Sequence, residues 1–179
     1  MKTSDILKTI YNYYPQDLDW NNIELITNSP EYNSRLKKCE EARLNNANWN
    51  DFKKELKKFA RKENNDDLYD YSILGSVPCY HATIGFGESH HKVISILISA
   101  IAPLWTYRII DYEKDEVLYK CRHENEEKAL KFSFSLIEKY FPKYELIEQD
   151  QHQIVIPNIA TAFEVSPTVF QAIFTSSEN

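Results

Sequence analysis

Glycine is almost absent. Only Gly75, Gly85 and Gly87 occur in 179 residues, which leaves little room for loops that wrap phosphate. Gly85-Phe86-Gly87 follows a predicted strand, but a dinucleotide loop needs its third glycine at position 90, and His90 stands there. A tight turn is the plainer reading. Cysteine is nearly as scarce. Cys39, Cys79 and Cys121 are an odd set in a chain of this length, so a disulfide framework is not expected and a reducing compartment is. Long apolar runs are missing as well. The longest, Val93 to Ala102, is broken by Ser95 and Ser99 and is far too short to span a bilayer. Lys2, Ser4 and Asp5 follow Met1 at once, where a secretory signal would begin its apolar stretch. The expectation is a cytoplasmic protein with no membrane partner. There is also no repeat at a solenoid period and no low-complexity linker.

Positive charge is the last deficit. The chain carries 21 Lys/Arg against 27 Asp/Glu, a net of −6. Residues 1–76 are nearly balanced, with 12 basic and 13 acidic side chains, whereas 77–179 hold 9 and 14. Phosphate backbones need cationic partners, so nucleic acid is not an expected ligand. A basic protein partner suits an acidic body, because complementary potentials speed encounter. What is abundant is aromatic: 12 Tyr, 9 Phe and 3 Trp argue for a packed core and against disorder. The length fits one domain over 1–179, able to bury its apolar surface without staples.

The first third reads helical. Ser4 is a candidate cap for a short helix burying Ile6, Leu7 and Ile10, stopped by Pro15. Asp17 or Asp19 could open a second helix with Trp20, Ile23 and Leu25. Ser29-Pro30-Glu31 is a strong start: a hydroxyl cap, proline in the first turn and an acid against the dipole. That helix runs to about Leu44, with Tyr32, Leu36 and Cys39 on one face. Asn48 or Asn50 then caps a helix whose apolar face is Trp49, Phe52, Leu56 and Phe59. Residues 63–71 form a polar, acidic hinge, dividing a helical portion (1–62) from a sheet-containing portion (72–179). Strands are expected at 77–86, 104–112 and 117–121, then a helix over 126–141 with Leu130, Phe134, Ile137 and Phe141 inward. A hairpin pairs 144–147 with 153–156, and 168–174 is a final strand. Residues 93–102 are read as a helix on length and caps (Ser89 before, Pro103 after), although Val93, Ile94, Ile96, Ile98 and Ile101 are β-branched and favour a strand. The class is α+β (mixed α/β): N-terminal helices followed by a mixed, mainly antiparallel sheet flanked by helices.

The sharpest chemical pattern is a doubled Cys-x-His. Cys79 and His81 share one face of a predicted strand, and Cys121 with His123 repeats the spacing at a strand end. Brought together, two thiolates and two imidazoles make a tetrahedral zinc set; alone, one pair could be a Cys–His nucleophile. Zinc pairs usually have two or more residues between ligands, and cysteine is among the most buried residue types, so a core Cys beside a polar His is the plainer reading. No nucleophile elbow accompanies them. No catalytic residue, metal or cofactor is therefore expected. The lysine run Lys53, Lys54, Lys57, Lys58, Arg61 and Lys62 lies opposite Phe52, Leu56 and Phe59, the solvated face of an amphipathic helix. The acidic clusters differ slightly. Asp66, Asp67 and Asp70 are interleaved with Tyr69 and Tyr71, and Glu113, Asp115 and Glu116 crowd a predicted turn. Carboxylates beside aromatics suit a contact surface for a cationic partner, whereas a solvated loop needs no partner at all. Asp66, Asp67, Tyr69, Asp70, Glu113, Asp115 and Glu116 are the candidate partner-binding residues.

Several stretches together resemble a known group. They are the helix pair with Pro30-Glu31-Tyr32 and Trp49, Phe52, Leu56; Pro78-Cys79-Tyr80; Tyr144-Glu145-Leu146; Ile154-Val155-Ile156-Pro157-Asn158-Ile159-Ala160-Thr161; and Thr168-Val169-Phe170-Gln171-Ala172-Ile173-Phe174-Thr175-Ser176. Over about half its length the chain is similar to bacterial immunity proteins of polymorphic-toxin and contact-dependent growth-inhibition systems. The resemblance implies a cytoplasmic antitoxin that is not an enzyme. It would bind its cognate toxin protein by protein–protein interaction and block the active site of a basic toxin domain. The alternatives carried forward are a Cys/His metal protein or enzyme built on Cys79, His81, Cys121 and His123, and an adaptor or homodimer pairing through a sheet edge.

Overall fold

A computed structural model of the chain describes residues 2–19, 21–63, 68–70 (backbone only), 77–86, 91–159 and 166–175. In chain order these form helices α1 (Thr3–Ile10), α2 (Ile23–Thr27), α3 (Pro30–Leu44) and α4 (Ala47–Lys62), then strands β1 (Leu68–Asp70), β2 (Cys79–Phe86), β3 (Lys92–Ser99), β4 (Leu104–Asp111) and β5 (Glu116–Leu118). Helix α5 (Glu124–Tyr140), strand β6 (Glu145–Leu146) and helices α6 (Gln149–His152) and α7 (Val169–Phe174) complete the order.

The expected class is the one found. Strands β1-β2-β3-β4-β5 form an antiparallel meander, and β6 joins β4 in parallel, making the sheet mixed. Side chains alternate between two cores. Cys79, Leu97 and Leu104 face a cluster with α1 and α7, containing Ile6, Ile10, Ile173 and Phe174. Tyr80, Ile94, Ile96, Ile98, Trp105 and Ile109 face a second cluster built by α4 and α5, including Trp49, Phe52, Leu56, Ala129 and Ile137.

Helix starts with strong local signals lie close to where the sequence puts them. Ser29 Oγ accepts from the Tyr32 amide at 3.1 Å and opens α3 at Pro30. Within that helix it is Arg35 and Cys39 that are buried, while Leu36 is exposed. Three expectations about the first helices need correction, and one about the segment after them. Lys2, not Ser4, precedes α1, with no side-chain cap. Asn22 opens α2, its side chain accepting from Leu25, and Ile26 is the buried residue while Ile23 and Leu25 face outward. Asn46, not Asn48 or Asn50, precedes α4, whose buried face is Trp49, Phe52, Leu56 and Ala60, with Phe59 only partly covered. The hinge expected at 63–71 contains β1.

Three larger corrections follow, the first two with one cause, burial on every side. Residues 92–99 are the central strand β3, not a helix. Both of its faces are covered, so its apolar pattern is continuous and the usual alternation disappears. Ser99 Oγ accepts from the Ile101 and Ala102 amides at 3.2 Å each, turning the chain before Pro103 rather than ending a helix. Residues 169–174 are helix α7, not a strand. Five of its six residues are buried, and a Thr168–Gln171 capping box starts it. The expected 144–156 hairpin is absent: β6 pairs with β4, α6 follows, and Val155 instead bridges Thr168.

Candidate functional site

The acidic turn expected between two strands is a β4–β5 hairpin tip. Asp111 ends β4 and Glu116 pairs back to it. Asp115 holds a left-handed backbone at φ 52°, which a short side chain tolerates. Glu113, Asp115 and Glu116 all reach solvent. Two large apolar neighbours are exposed with them, Tyr112 at 62 % and Val117 at 44 %; reading the turn by charge alone passed over both. Glu113 lies 4.0 Å from His91 Nε2 and Glu116 lies 3.6 Å from Arg122. Asp115 has no ion-pair partner among the described residues. Exposed pairs of this kind hold their carboxylates only weakly, so the tip stays available as a negative, partly apolar surface.

The other candidate residues do not join it. Tyr69 and Asp70 lie on β1, at the opposite edge of the meander. Four strand spacings put that edge roughly 19 Å from β5. Asp66 and Asp67 fall outside the described residues.

The Cys/His set does not converge either. Cys79 is fully buried on the α1/α7 side of the sheet and donates its thiol to the Phe174 carbonyl at 2.9 Å. Burial pushes that thiol up, away from thiolate. His81, on the same side, meets Ser95 Oγ at 2.7 Å. Cys121 packs on the opposite side, against the α4/α5 cluster. Burial raises its thiol, and Glu126 and Glu127 add to the effect. His123 precedes α5 in an exposed position. A sheet separates the two thiols, and among the described residues no group of three or more His, Cys, Asp or Glu side chains could hold a metal ion.

One polar arrangement escaped the sequence reading. His81 and Thr83 on β2, Ser95 on β3 and Thr106 and Arg108 on β4 share the α1/α7 face of the sheet, with Thr83, Ser95 and Arg108 in register. Thr106 Oγ1 donates to the Ile147 carbonyl at 3.2 Å and lies 2.7 Å from His152 Nε2. The hydroxyl therefore accepts from Nε2–H, leaving His152 Nδ1 as a buried acceptor without a partner. Arg108 stacks its guanidinium 4.2 Å above the Phe170 ring. Burial, with Arg108 second, lowers His152 to about 4. Ser95 beside an imidazole has the residue types of a nucleophile and its base, but the serine is wholly buried. Its hydroxyl is bonded to the half-buried His81 and is itself closed to substrate. Every second residue on three neighbouring strands carries this row, so it becomes visible only once β3 is a strand.

Searches against protein families, curated proteins and solved structures found no match to this chain.

Proposed function

We propose that this chain is an immunity protein that binds a cognate bacterial toxin and neutralises it by covering the active site of a basic toxin domain. In this reading it acts in the cytoplasm as an inhibitor without chemistry of its own. The observation that supports it is the β4–β5 tip at one edge of the sheet, where Glu113, Asp115 and Glu116 lie exposed beside Tyr112 and Val117 and the one lysine, Lys114, leans towards Asp111 at 3.9 Å. An exposed aromatic beside an excess of acidic groups suits an interface for a cationic partner. Charges of this kind steer a cationic partner and fix its orientation more than they add affinity. Among the described residues no helix is long and apolar enough to cross a membrane. With Cys79 and Cys121 on opposite faces of the sheet, no observation favours the metal-site alternative.

The test is co-expression with the toxin domain encoded beside it, followed by co-purification and a growth assay. The wild-type chain should be retained by the toxin and should rescue growth. Glu113→Lys with Asp115→Lys and Glu116→Lys should slow association by about tenfold or more at low salt. Tyr112→Ala should raise the dissociation rate. Lys57→Glu on the solvated face of α4 serves as control. A neighbouring toxin that neither co-purifies nor is neutralised removes the reading, and full rescue by the triple variant removes the hairpin's part in it.

A further inference from the structure

A cleft opens where the ends of three helices meet the ends of strands β2 and β3, away from the acidic tip. Its volume is about 410 Å³, and its walls include Lys38, Trp49, Tyr80, Tyr140, Lys143 and Tyr144. That size is within the range of small-ligand sites. The walls are tied together before any ligand arrives. The Tyr80 hydroxyl donates to the Ala42 carbonyl near the end of α3, and Asn48 Nδ2 donates to the Tyr140 carbonyl at the end of α5, at 2.9 Å.

Three features make the cleft less acidic than the chain as a whole, its lining carrying two lysines against one glutamate. The negative ends of α3 and α5 are blunted, because the Glu41, Ala42 and Tyr140 carbonyls are already accepting hydrogen bonds. The positive end of α4 is open. Asn46 spends its side-chain oxygen on Asn50 Nδ2 at 2.9 Å, no side chain caps the helix, and no acid occupies its first turn. Asn48 and Trp49, in that first turn, both line the cleft, so their end of the helix carries uncompensated positive potential. Lys38 and Lys143 then face a single acid, Glu41, which bonds Lys38 at 2.8 Å. A second hollow across that pair, also about 410 Å³, adds Lys37 and no further carboxylate.

The aromatic side is independent of these charges. Trp49 stacks on Tyr80 with ring centres 5.0 Å apart, and Tyr144 meets Phe141 edge-on at 5.2 Å. The Trp49 indole N–H lies behind this wall, buried and without an acceptor.

We infer that this cleft binds a small planar aromatic anion, a flat ring bearing a phosphate or carboxylate, of the size of a nucleoside monophosphate. The anionic group sits among Lys38, Lys143 and the first amides of α4, and the ring lies against the aromatic wall.

Isothermal titration of the intact chain with adenosine monophosphate tests this, with adenosine and inorganic phosphate as the two half-ligands. The expected result is one site per chain for adenosine monophosphate, tighter than either half-ligand and weakened by salt. Lys143→Glu, an exposed substitution that leaves the core alone, should weaken binding by about tenfold, the loss of roughly one charge-assisted contact. Tyr144→Leu, with its fold checked by circular dichroism, should weaken it less. Absence of binding at millimolar adenosine monophosphate overturns the inference, as does affinity unchanged in Lys143→Glu. Equal affinity for phosphate alone removes the aromatic part of the ligand, and equal affinity for adenosine removes the anionic part.

Discussion

Glu126 is the buried charge on which the joint between sheet and helix depends, and replacing it is the most demanding test of the packing described above. It lies in the first turn of α5 at 2 % exposure. Its Oε2 accepts from the Arg122 amide at 2.7 Å and the His123 amide at 3.3 Å, and its Oε1 accepts from Lys92 Nζ at 3.1 Å. One carboxylate therefore satisfies two open amides of the helix start and the Lys92 ammonium at the adjacent end of β3. Glu126→Ala leaves a mostly buried ammonium and two amides unmatched. Breaking one partner of a buried, hydrogen-bonded pair costs roughly 3–5 kcal/mol; because Lys92 keeps 17 % exposure and can reach water, the lower end, about 3 kcal/mol, is expected. For a chain of this size that corresponds to a fall in Tm of about 6–12 °C. Lys92→Met should cost less, since the amide bonds to Glu126 survive, and a double-mutant cycle should return a coupling of about 1–2 kcal/mol. Equilibrium urea unfolding of the four proteins measures these values. The acid dependence has a definite sign. Burial raises the Glu126 carboxyl, but the Arg122 amide, Lys92 and the His123 amide outweigh it and hold it below its ordinary 4.5. The stabilisation is thus complete above about 4.5 and is lost as pH falls through the lower folded value. A Glu126→Ala cost under 1 kcal/mol, or a cycle with no coupling, refutes the reasoning.

His152 is held neutral, near 4 against an ordinary 6.5. Its contribution is therefore full above about 6.5 and disappears as pH falls towards 4, and His152→Gln should flatten the slope of unfolding free energy against pH in that window. Ser29→Ala removes the Tyr32 cap bond and should cost about 1 kcal/mol by thermal unfolding; no change would mean that proline alone sets the start of α3. In the native protein a thiol reagent should modify Cys121 first, and Cys39 and Cys79 only on unfolding. Rapid native labelling of Cys79 would contradict its burial under α7.

Parts of this molecule were legible because their signals are local. Ser29-Pro30-Glu31 states a helix start within three residues, and Trp49, Phe52 and Leu56 show their period on a helix with one wet face. The β4–β5 hairpin could be read for the same reason, since Glu113 to Glu116 mark a turn wherever they are placed. Residues 92–99 and 169–174 could not be assigned this way. Both are covered on all sides, so neither shows a period, and the choice between strand and helix passes to neighbours far along the chain. The candidate site divides similarly. Its acids could be found by composition, but their separation onto two edges of the sheet could not.

The amino-acid order by itself determined a mixed helix-and-sheet chain, an acidic second half and the absence of any complete catalytic signature. Tertiary structure alone decided that Cys79 and Cys121 lie on opposite faces, that Tyr112 and Val117 surface beside the hairpin acids, and that two lysines gather at the open end of α4. Pattern and charge are properties of neighbouring residues, whereas convergence depends on strand register and on which face a helix covers, and those are set by burial summed over the whole molecule.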